Sequence, residues 1–261
     1  MTTLHRWDFE SDATGWITEQ DQAYKPWSAC AHTRSGFLGS RGALQVTGVS
    51  HWGSVGALTT CSFPGTGTKV TWAYRARACT AIMVQGQVPA MKKQLHGTTT
   101  TFRNDAWTVA TSDVERWNHW DGGDLIGKGQ DFSTLMVFAN SAGAESELTI
   151  DDVVIWQGID RTPPDRVRSA SASIDDATGE VVLSWLPPPD NVAVASLVVH
   201  RSLAAEGTIG QGTRLGETSD TGFRDATISN FGTYHYRFVA IDACGNESEP
   251  SAPLAITVSE R

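Results

Sequence analysis

The chain has 261 residues, a net charge of −9 and 40% hydrophobic residues, which fits one large or two ordinary globular domains. Its longest basic run is Lys92-Lys93, which argues against nucleic acid, because binding phosphates requires clustered Lys and Arg. The same charge balance disfavours strongly acidic polysaccharides and anionic membranes. Every apolar run is shorter than the roughly 18 residues of a membrane-spanning helix, so we expect no membrane insertion.

Short strands separated by turn residues recur along the chain. In "TKVTWAYRARA", Val70, Trp72, Tyr74 and Ala76 alternate with a second set of residues, as the buried face of a strand does. The segments "GALQVTGV", "TAIMVQGQV" and "STLMVFAN" show similar patterns, whereas helical spacing is weak throughout. The sequence therefore predicts an all-β protein made of sandwiches or barrels.

The two halves of the chain differ in composition. Nine of the ten tryptophans lie before Gly158, and only Trp185 lies after it. The segment "GIDRTPPDRV" carries a Pro pair and charges, as a linker into a new strand would. We therefore place a domain boundary near residues 158–163, with one domain over residues 1–158 and another over residues 163–261.

The four cysteines leave the redox compartment open. They contain no CxxC pair, so a zinc knuckle or a redox motif is not expected. Two of Cys30, Cys61 and Cys79 could form a disulfide, or all four cysteines could be thiols.

The second half resembles a fibronectin type III domain of the kind found in bacterial secreted glycosidases. The matching segments are "LSW", the "PPDN" turn, "YxYxFxAxD" and "GNES". The resemblance implies a second β-sandwich, with Trp185 as a core anchor and Tyr234 as the tyrosine-corner residue. It also implies that this half is a spacer between other modules of the same chain.

The first half resembles the jelly-roll carbohydrate-binding modules of the galactose-binding-like superfamily. The segments that carry the likeness are "WDFESDATGW", the turn "SGFLGSRGAL", a strand ending in "ARA" and a closing "IDDV". The resemblance implies a jelly-roll sandwich that binds a polysaccharide or oligosaccharide. The N-terminus "MTTLHRWDFE" lacks the basic and apolar regions of a signal peptide, so the protein is either cytosolic or has had its signal removed. The resemblance favours the second alternative, a secreted, extracellular protein.

Two carboxylates interrupt the apolar strand "ELTIDDVVIW", and a buried carboxylate must be neutralised, paired or bound to a metal. The resemblance implies a structural calcium ion here, and calcium takes six to eight oxygen ligands. The alternative is a solvent-facing aspartate beside a satisfied carboxylate. The implied side-chain ligands are Glu10 and Asp151, with backbone oxygens between Ser40 and Gly42 and either Asp8 or Asp12 completing the shell.

A sugar-binding surface needs exposed aromatic rings beside hydrogen-bonding side chains. Alternation or motif position predicts that five tryptophans are structural, namely Trp7, Trp16, Trp72, Trp107 and Trp156. The remaining candidates for ligand contact are Tyr24, Trp27, Trp52, Trp117 and Trp120, and Asn118 lies in the polar, glycine-rich stretch "ERWNHWDGGD". Either ring of that stretch could instead close the end of the sandwich. Candidate hydrogen-bonding residues on mid-sheet strands are Arg75, Arg77, Gln85 and Gln87.

Catalytic motifs are lacking in the sequence, which contains no HExxH, GxSxG or P-loop. Glu115, Asp121 and Asp124 could supply a glycosidase carboxylate pair, but acidic pairs on loops are more often solvated or calcium-binding. We therefore predict a noncatalytic fragment that tethers a secreted polysaccharide-degrading enzyme to its substrate. The rival hypothesis is a cell-surface or phage-tail adhesion module that binds protein, and a jelly-roll lyase or glycosidase is less favoured.

Overall fold

The computed structural model describes residues 1–18, 27–48, 53–57, 61–97, 105–123, 126–141, 143–206 and 209–259. Within these residues the chain forms twenty β-strands and no α-helix, so the all-β prediction is confirmed. None of the described segments is a helix that could span a membrane. The chain divides into two compact units, Met1–Asp160 and Arg161–Arg261.

The first unit contains thirteen strands. They are β1 (Thr2–Trp7), β2 (Trp16–Thr18), β3 (Ala29–Thr33), β4 (Ala43–Thr47), β5 (Gly53–Ala57), β6 (Phe63–Pro64), β7 (Thr68–Arg77), β8 (Cys79–Val88), β9 (Lys93–His96), β10 (Trp107–Asp113), β11 (Asp131–Phe132), β12 (Leu135–Ser141) and β13 (Glu147–Gln157).

Two larger antiparallel sheets enclose the core of the first unit. One sheet has the order β10-β7-β13-β4-β3, and β1 also pairs with β13; the other has the order β2-β5-β12-β8-β9. The alternation predicted for β7 is present, because Val70, Trp72, Tyr74 and Ala76 all lie in the buried core cluster. The opposite sheet contributes alternate residues of β8 and β12, including Val84.

The second unit contains seven strands. They are β14 (Ala170–Ile174), β15 (Val181–Trp185), β16 (Val194–Ser202), β17 (Thr213–Thr218), β18 (Gly222–Asp225), β19 (Gly232–Asp242) and β20 (Leu254–Val258). They form a three-stranded sheet, β14-β15-β18, and a four-stranded sheet, β17-β16-β19-β20.

Two aromatic side chains hold the positions that the fibronectin type III resemblance implies. Trp185 is buried against Phe238, with ring centroids 5.0 Å apart. The Tyr234 hydroxyl donates a hydrogen bond of 2.8 Å to the carbonyl of Asn230, which ties the start of β19 to the loop before it. This contact is the hydroxyl-to-backbone bond of a tyrosine corner.

All four cysteines are free thiols, so the structure contains no disulfide among Cys30, Cys61 and Cys79. Burial raises the pKa of the Cys61 thiol to about 12 and that of Cys79 to about 11, with the Glu147 carboxylate adding to the effect at Cys79. Both thiols are therefore protonated at neutral pH.

Candidate functional site

Trp117, expected to contact a ligand, is part of the core. Its side chain is 1% exposed, and its indole N–H donates a 2.7 Å hydrogen bond to the Ser112 hydroxyl. Phe63 and Phe132 pack edge-on against the ring, at centroid distances of 6.4 Å and 5.5 Å. The prediction of ligand stacking by Trp117 is therefore wrong, because the indole has neither an accessible face nor a free donor.

The glycines near Trp117 make room for its ring. A Cβ atom on Gly97 would lie 2.7 Å from the indole nitrogen, and one on Gly127 would lie 1.9 Å from the carbonyl oxygen of Val114. A Cβ on Gly86 would lie 2.6 Å from the Phe132 ring. These glycines allow three backbone segments to close around Trp117.

Trp120 lies three residues further along and is 78% exposed. It occupies a turn closed by a 3.0 Å hydrogen bond from the Gly122 amide to the His119 carbonyl. The Asp121 carboxylate fixes this turn, because it accepts from the Gly123 amide at 3.1 Å and lies 2.7 Å from Nδ1 of His119. The contact with His119, followed by that with Gly123, lowers the pKa of Asp121.

The segment before this turn extends the five-stranded sheet beyond its edge strand, β9. Backbone hydrogen bonds of 3.0 and 3.2 Å join His96 and Asn118 in an antiparallel pair. His96 in turn pairs with Gln85 on β8, and Gln85 pairs with Met136 on β12. Directly paired residues project from the same face of a sheet. Met136, Gln85, His96 and Asn118 therefore form one row across the strands, on the face opposite the core.

We call these four residues the Gln85 row. Neighbouring strands lie about 4.8 Å apart, so the distance from Gln85 to Asn118 is about 10 Å. Met136, at the other end of the row, is 2% exposed. Gln87 and Gln94, themselves a pair, lie two positions along their strands and face the same way. Sequence reasoning identified Gln85, Gln87 and Asn118 but missed His96 and Gln94, although the alternation in "KQLH" could have indicated both.

Gln85 carries an unmet hydrogen-bonding requirement. Its side chain is 6% exposed, and its amide nitrogen has no hydrogen-bond partner among the residues that the structure describes. A buried polar group without a partner costs about 1–3 kcal/mol, and an ordered water or a ligand can supply the missing partner. A ligand that offers a hydroxyl oxygen to this nitrogen would remove the penalty.

The Gln85 row is uncharged at neutral pH. Burial, together with the nearby His119, lowers the pKa of His96 below its usual value, so the imidazole is neutral at pH 7. The other three members of the row are neutral side chains. The row therefore offers amide and imidazole groups without a formal charge that would select an ionic ligand, whereas Met136 at its end is buried.

One other predicted ligand contact is wrong. Trp27 is buried in the core cluster of the first unit and has no accessible ring face. Arg75 lies on β7, in the sheet opposite to Gln85, so its contact with a ligand stays a prediction for a different surface. Its guanidinium lies 5.4 Å from the centroid of the Trp107 ring and 3.5 Å from the Glu147 carboxylate. Tyr24 and Trp52 lie outside the described residues.

Asp151 lies at a break in β13. The strand pairs with β4 before this residue and with β1 after it, and its register with β7 shifts between Asp151 and Val154. Asp152 has a φ of 46° and reaches outward to Arg6 at 2.6 Å. The two carboxylates therefore have separate roles, one buried and one paired at the surface.

The Asp151 carboxylate is 1% exposed and accepts three hydrogen bonds. Its donors are the Phe37 amide at 2.8 Å, the Ser40 hydroxyl at 2.5 Å and the Asp152 amide at 2.7 Å. Burial raises its pKa to about 7 against the opposing effect of these donors. The three hydrogen bonds therefore offset only part of the cost of burying this carboxylate.

In this arrangement the residues expected to hold calcium are hydrogen-bonded to groups of the protein. Glu10 accepts from the Arg41 amide at 3.2 Å, and Asp8 accepts from the Glu10 amide. The Gly42 carbonyl oxygen lies 3.0 Å from the Ser40 hydroxyl oxygen, whose single proton is donated to Asp151. Asp12 caps the Thr14 amide. Throughout the described part of the chain, no three His, Cys, Asp or Glu side chains are grouped to hold a metal. Calcium therefore stays a prediction of the resemblance.

Comparison with known proteins found one partial similarity in sequence and several in structure. No family model matches the chain. Exoglucanase B of Cellulomonas fimi is 31% identical over 98 residues, which is 38% of this chain and 8% of the exoglucanase. The chain thus spans a small part of the length of that relative.

Three solved structures illustrate the structural similarities. A Fn3-like protein from Clostridium thermocellum has 22% identity and a TM-score of 0.33, over 38% of this chain and 98% of that one. The glycoside hydrolase domain of Endo-D from Streptococcus pneumoniae R6 has 14% identity and a TM-score of 0.40, over 93% and 36%. A β-1,2-glucanase from Parabacteroides distasonis has 13% identity and a TM-score of 0.37, over 96% and 37%.

Proposed function

We propose that the first unit is a noncatalytic carbohydrate-binding module and that the second unit is a spacer. The observation that supports this most strongly is the unpartnered amide of Gln85, in a polar row that leads to the segment carrying the exposed ring of Trp120. Sugars present C–H faces that stack on aromatic rings, and hydroxyls that require paired donors and acceptors. The row and the ring supply both kinds of contact.

The ligand that matches this chemistry is a neutral glycan. Gln85, His96 and Asn118 can exchange hydrogen bonds with sugar hydroxyls, and none of them carries a charge that favours a uronic acid or a sulfate. The overall charge of −9 also disfavours acidic chains. Binding of this kind gains a few hydrogen bonds at a wet surface, so we expect weak, reversible affinity.

The proposal includes no catalytic step. Glu115 accepts a 2.7 Å hydrogen bond from the Gly67 amide, and Asp121 is fixed by His119 and Gly123. Both carboxylates thus have structural partners on the surface of the unit. Asp124 lies outside the described residues.

The parent protein that we propose is a secreted enzyme that degrades a polysaccharide. The partial similarity to an exoglucanase supports this setting. In it, the first unit would hold the enzyme on its substrate and raise the local concentration of glycan chains near a catalytic domain.

The proposal is tested by affinity electrophoresis of the full chain in gels that contain neutral glucans, xylans or mannans. We expect retardation by at least one neutral polysaccharide and a roughly ten-fold weaker interaction for Trp120→Ala, since stacking is worth about 1–3 kcal/mol per ring for bases. Ile159→Ala, a substitution of another exposed apolar residue of the first unit, is the matched control and should migrate as the wild type does.

The rival hypothesis, an adhesion module that binds protein, gives a different result. It predicts no retardation by any glycan and concentration-dependent self-association, measured by analytical ultracentrifugation. That self-association would be reduced by Trp120→Ala if the exposed ring were part of a protein contact.

A further inference from the structure

The second unit contains a pocket that its spacer role does not use. The pocket has a volume of about 480 Å³ and lies where the end of β16 meets the loop before β19. Pockets that bind small ligands commonly have volumes of about 300–1,000 Å³. The size alone admits a small ligand, and the chemistry of the wall determines which kind.

Uncommitted hydrogen-bonding side chains line one side of the pocket. Gln211, Thr213, Ser229 and Asn230 all contribute to its wall, and the described structure shows no hydrogen bond made by any of these side chains. Two amides and two hydroxyls therefore face the pocket with donors and acceptors available. A ligand rich in hydroxyl groups matches such a wall.

Arg201, the charged residue of the wall, is already neutralised. Its guanidinium lies 2.6 Å from the Asp225 carboxylate, donates to the Thr227 hydroxyl at 3.0 Å and lies 5.4 Å from the centroid of the Tyr234 ring. With its positive charge paired, Arg201 does not favour an anion. The wall therefore suits an uncharged ligand.

Two exposed apolar side chains lie at this end of the unit. Leu203 is 75% exposed and lines the pocket, and Phe231 is 66% exposed and follows the lining residue Asn230. Pairing of Ser202 with His235 brings the two segments together, because Leu203 directly follows β16 and Phe231 directly precedes β19. Leu203 is thus the exposed apolar residue of the wall itself, and Phe231 is the exposed aromatic residue next to the wall in sequence.

We propose that this pocket is a second carbohydrate site, which binds a short, uncharged oligosaccharide between the Phe231 ring and the amides of Gln211 and Asn230. The inference goes beyond the function proposed above, in which the second unit is only a spacer. Two weak sites on one chain would raise the avidity for a polysaccharide that presents many copies of the ligand.

The test follows backbone amide signals of the full chain by ¹⁵N NMR during titration with neutral gluco-, xylo- and manno-oligosaccharides. We expect the signals of Gly212 and Gly232, which flank the pocket wall, to shift with at least one of these ligands. The shifts should persist in Trp120→Ala, because the two sites are separate. In Phe231→Ala they should require roughly ten-fold more ligand.

A matched control and a second variant keep the outcome clear. Leu186→Ala, an exposed apolar residue of the same unit away from the pocket wall, should leave the titration unchanged. Gln211→Ala should weaken it as Phe231→Ala does. The proposal is overturned if no oligosaccharide shifts the amide signals of Gly212 or Gly232. It is also overturned if neither pocket substitution changes the ligand concentration at which those signals shift. Failure of the first site would appear instead as a Trp120→Ala variant that binds like the wild type.

Discussion

Trp117 and Trp120 lie three residues apart in the sequence, but Trp117 is buried and Trp120 is exposed. Trp117→Ala should leave a cavity among Phe63, Phe132 and Ser112 and lower the free energy of unfolding by about 3–5 kcal/mol. Trp120→Ala, the matched substitution, should change it by less than about 0.5 kcal/mol. Urea unfolding followed by circular dichroism measures both values, and equal losses would contradict the placement of the two rings.

Gln85 allows binding to be separated from stability. Gln85→Met keeps the length of the side chain and removes the unpartnered amide nitrogen. It should leave the free energy of unfolding unchanged or slightly increased, because an unsatisfied buried polar group is lost. Affinity for the glycan should fall, as measured by isothermal titration calorimetry. A large loss of stability would show that the amide has a structural role.

At the residue scale, sequence reasoning identified the "ERWNHWDGGD" stretch but could not separate its two tryptophans. Glycine-rich, polar surroundings suggested exposure for both rings. The structure shows that Gly97 and Gly127, distant from each other along the chain, admit the backbone around Trp117. A one-dimensional pattern does not reveal whether a glycine leaves a ring exposed or makes room for its burial.

At the scale of single elements, β13 is a long strand whose pairing is interrupted at Asp151, where one carboxylate is buried. Asp151→Ala would leave the amides of Phe37 and Asp152 and the hydroxyl of Ser40 without their acceptor. The expected cost is about 1–3 kcal/mol for each donor that stays buried and unpaired. Asp152→Asn, which weakens a surface pair with Arg6, should cost at most about 1 kcal/mol.

The same break gives a test of calcium. An unchanged melting temperature in EDTA, measured by differential scanning calorimetry, would contradict the calcium ion that the resemblance implies. A lower melting temperature in EDTA that calcium restores would show that an ion stabilises this corner, as the family resemblance implies.

The sheets of the second unit predict a dependence of stability on pH. Burial alone would raise the pKa of Asp225, but hydrogen bonds from Thr227, Tyr236 and Arg201 outweigh it and lower that pKa. A carboxyl group whose pKa is lower in the folded state contributes stability above its unfolded pKa of about 3.9, and the contribution is lost as pH falls through the folded pKa. Melting temperatures between pH 5 and pH 2 should fall more steeply in the wild type than in Asp225→Asn.

The alternation of apolar and polar residues correctly predicted which face of a strand is buried, but it did not predict which strands pair with each other. The period of two in β7 and in β19 correctly identified the buried sets, including Trp72 and Phe238. It did not indicate that Arg75 and Gln85 belong to opposite sheets, because register and sheet order depend on pairings between distant segments. The Gln85 row likewise depends on the pairing of His96 with Asn118, which no local pattern specifies.

At the scale of the whole molecule, the chain comprises two units, each with its own core. We expect a fragment of residues 1–160 to remain folded and to bind glycan at the first site as the full chain does. Its circular dichroism spectrum and its thermal transition measure the folding. An unfolded fragment, with folding restored by the remaining residues, would show that the two units depend on each other.

The central claim is that the Gln85 row and Trp120 bind a neutral glycan. It is tested most directly by a crystal structure of the full chain with the oligosaccharide that gel retardation selects. We predict sugar density along the row, a hydroxyl oxygen within hydrogen-bonding distance of the Gln85 amide nitrogen, and a sugar ring stacked on Trp120. The claim would be contradicted if the ligand density lay on the opposite sheet, around Arg75 and Glu147, and no ligand contacted the Gln85 row.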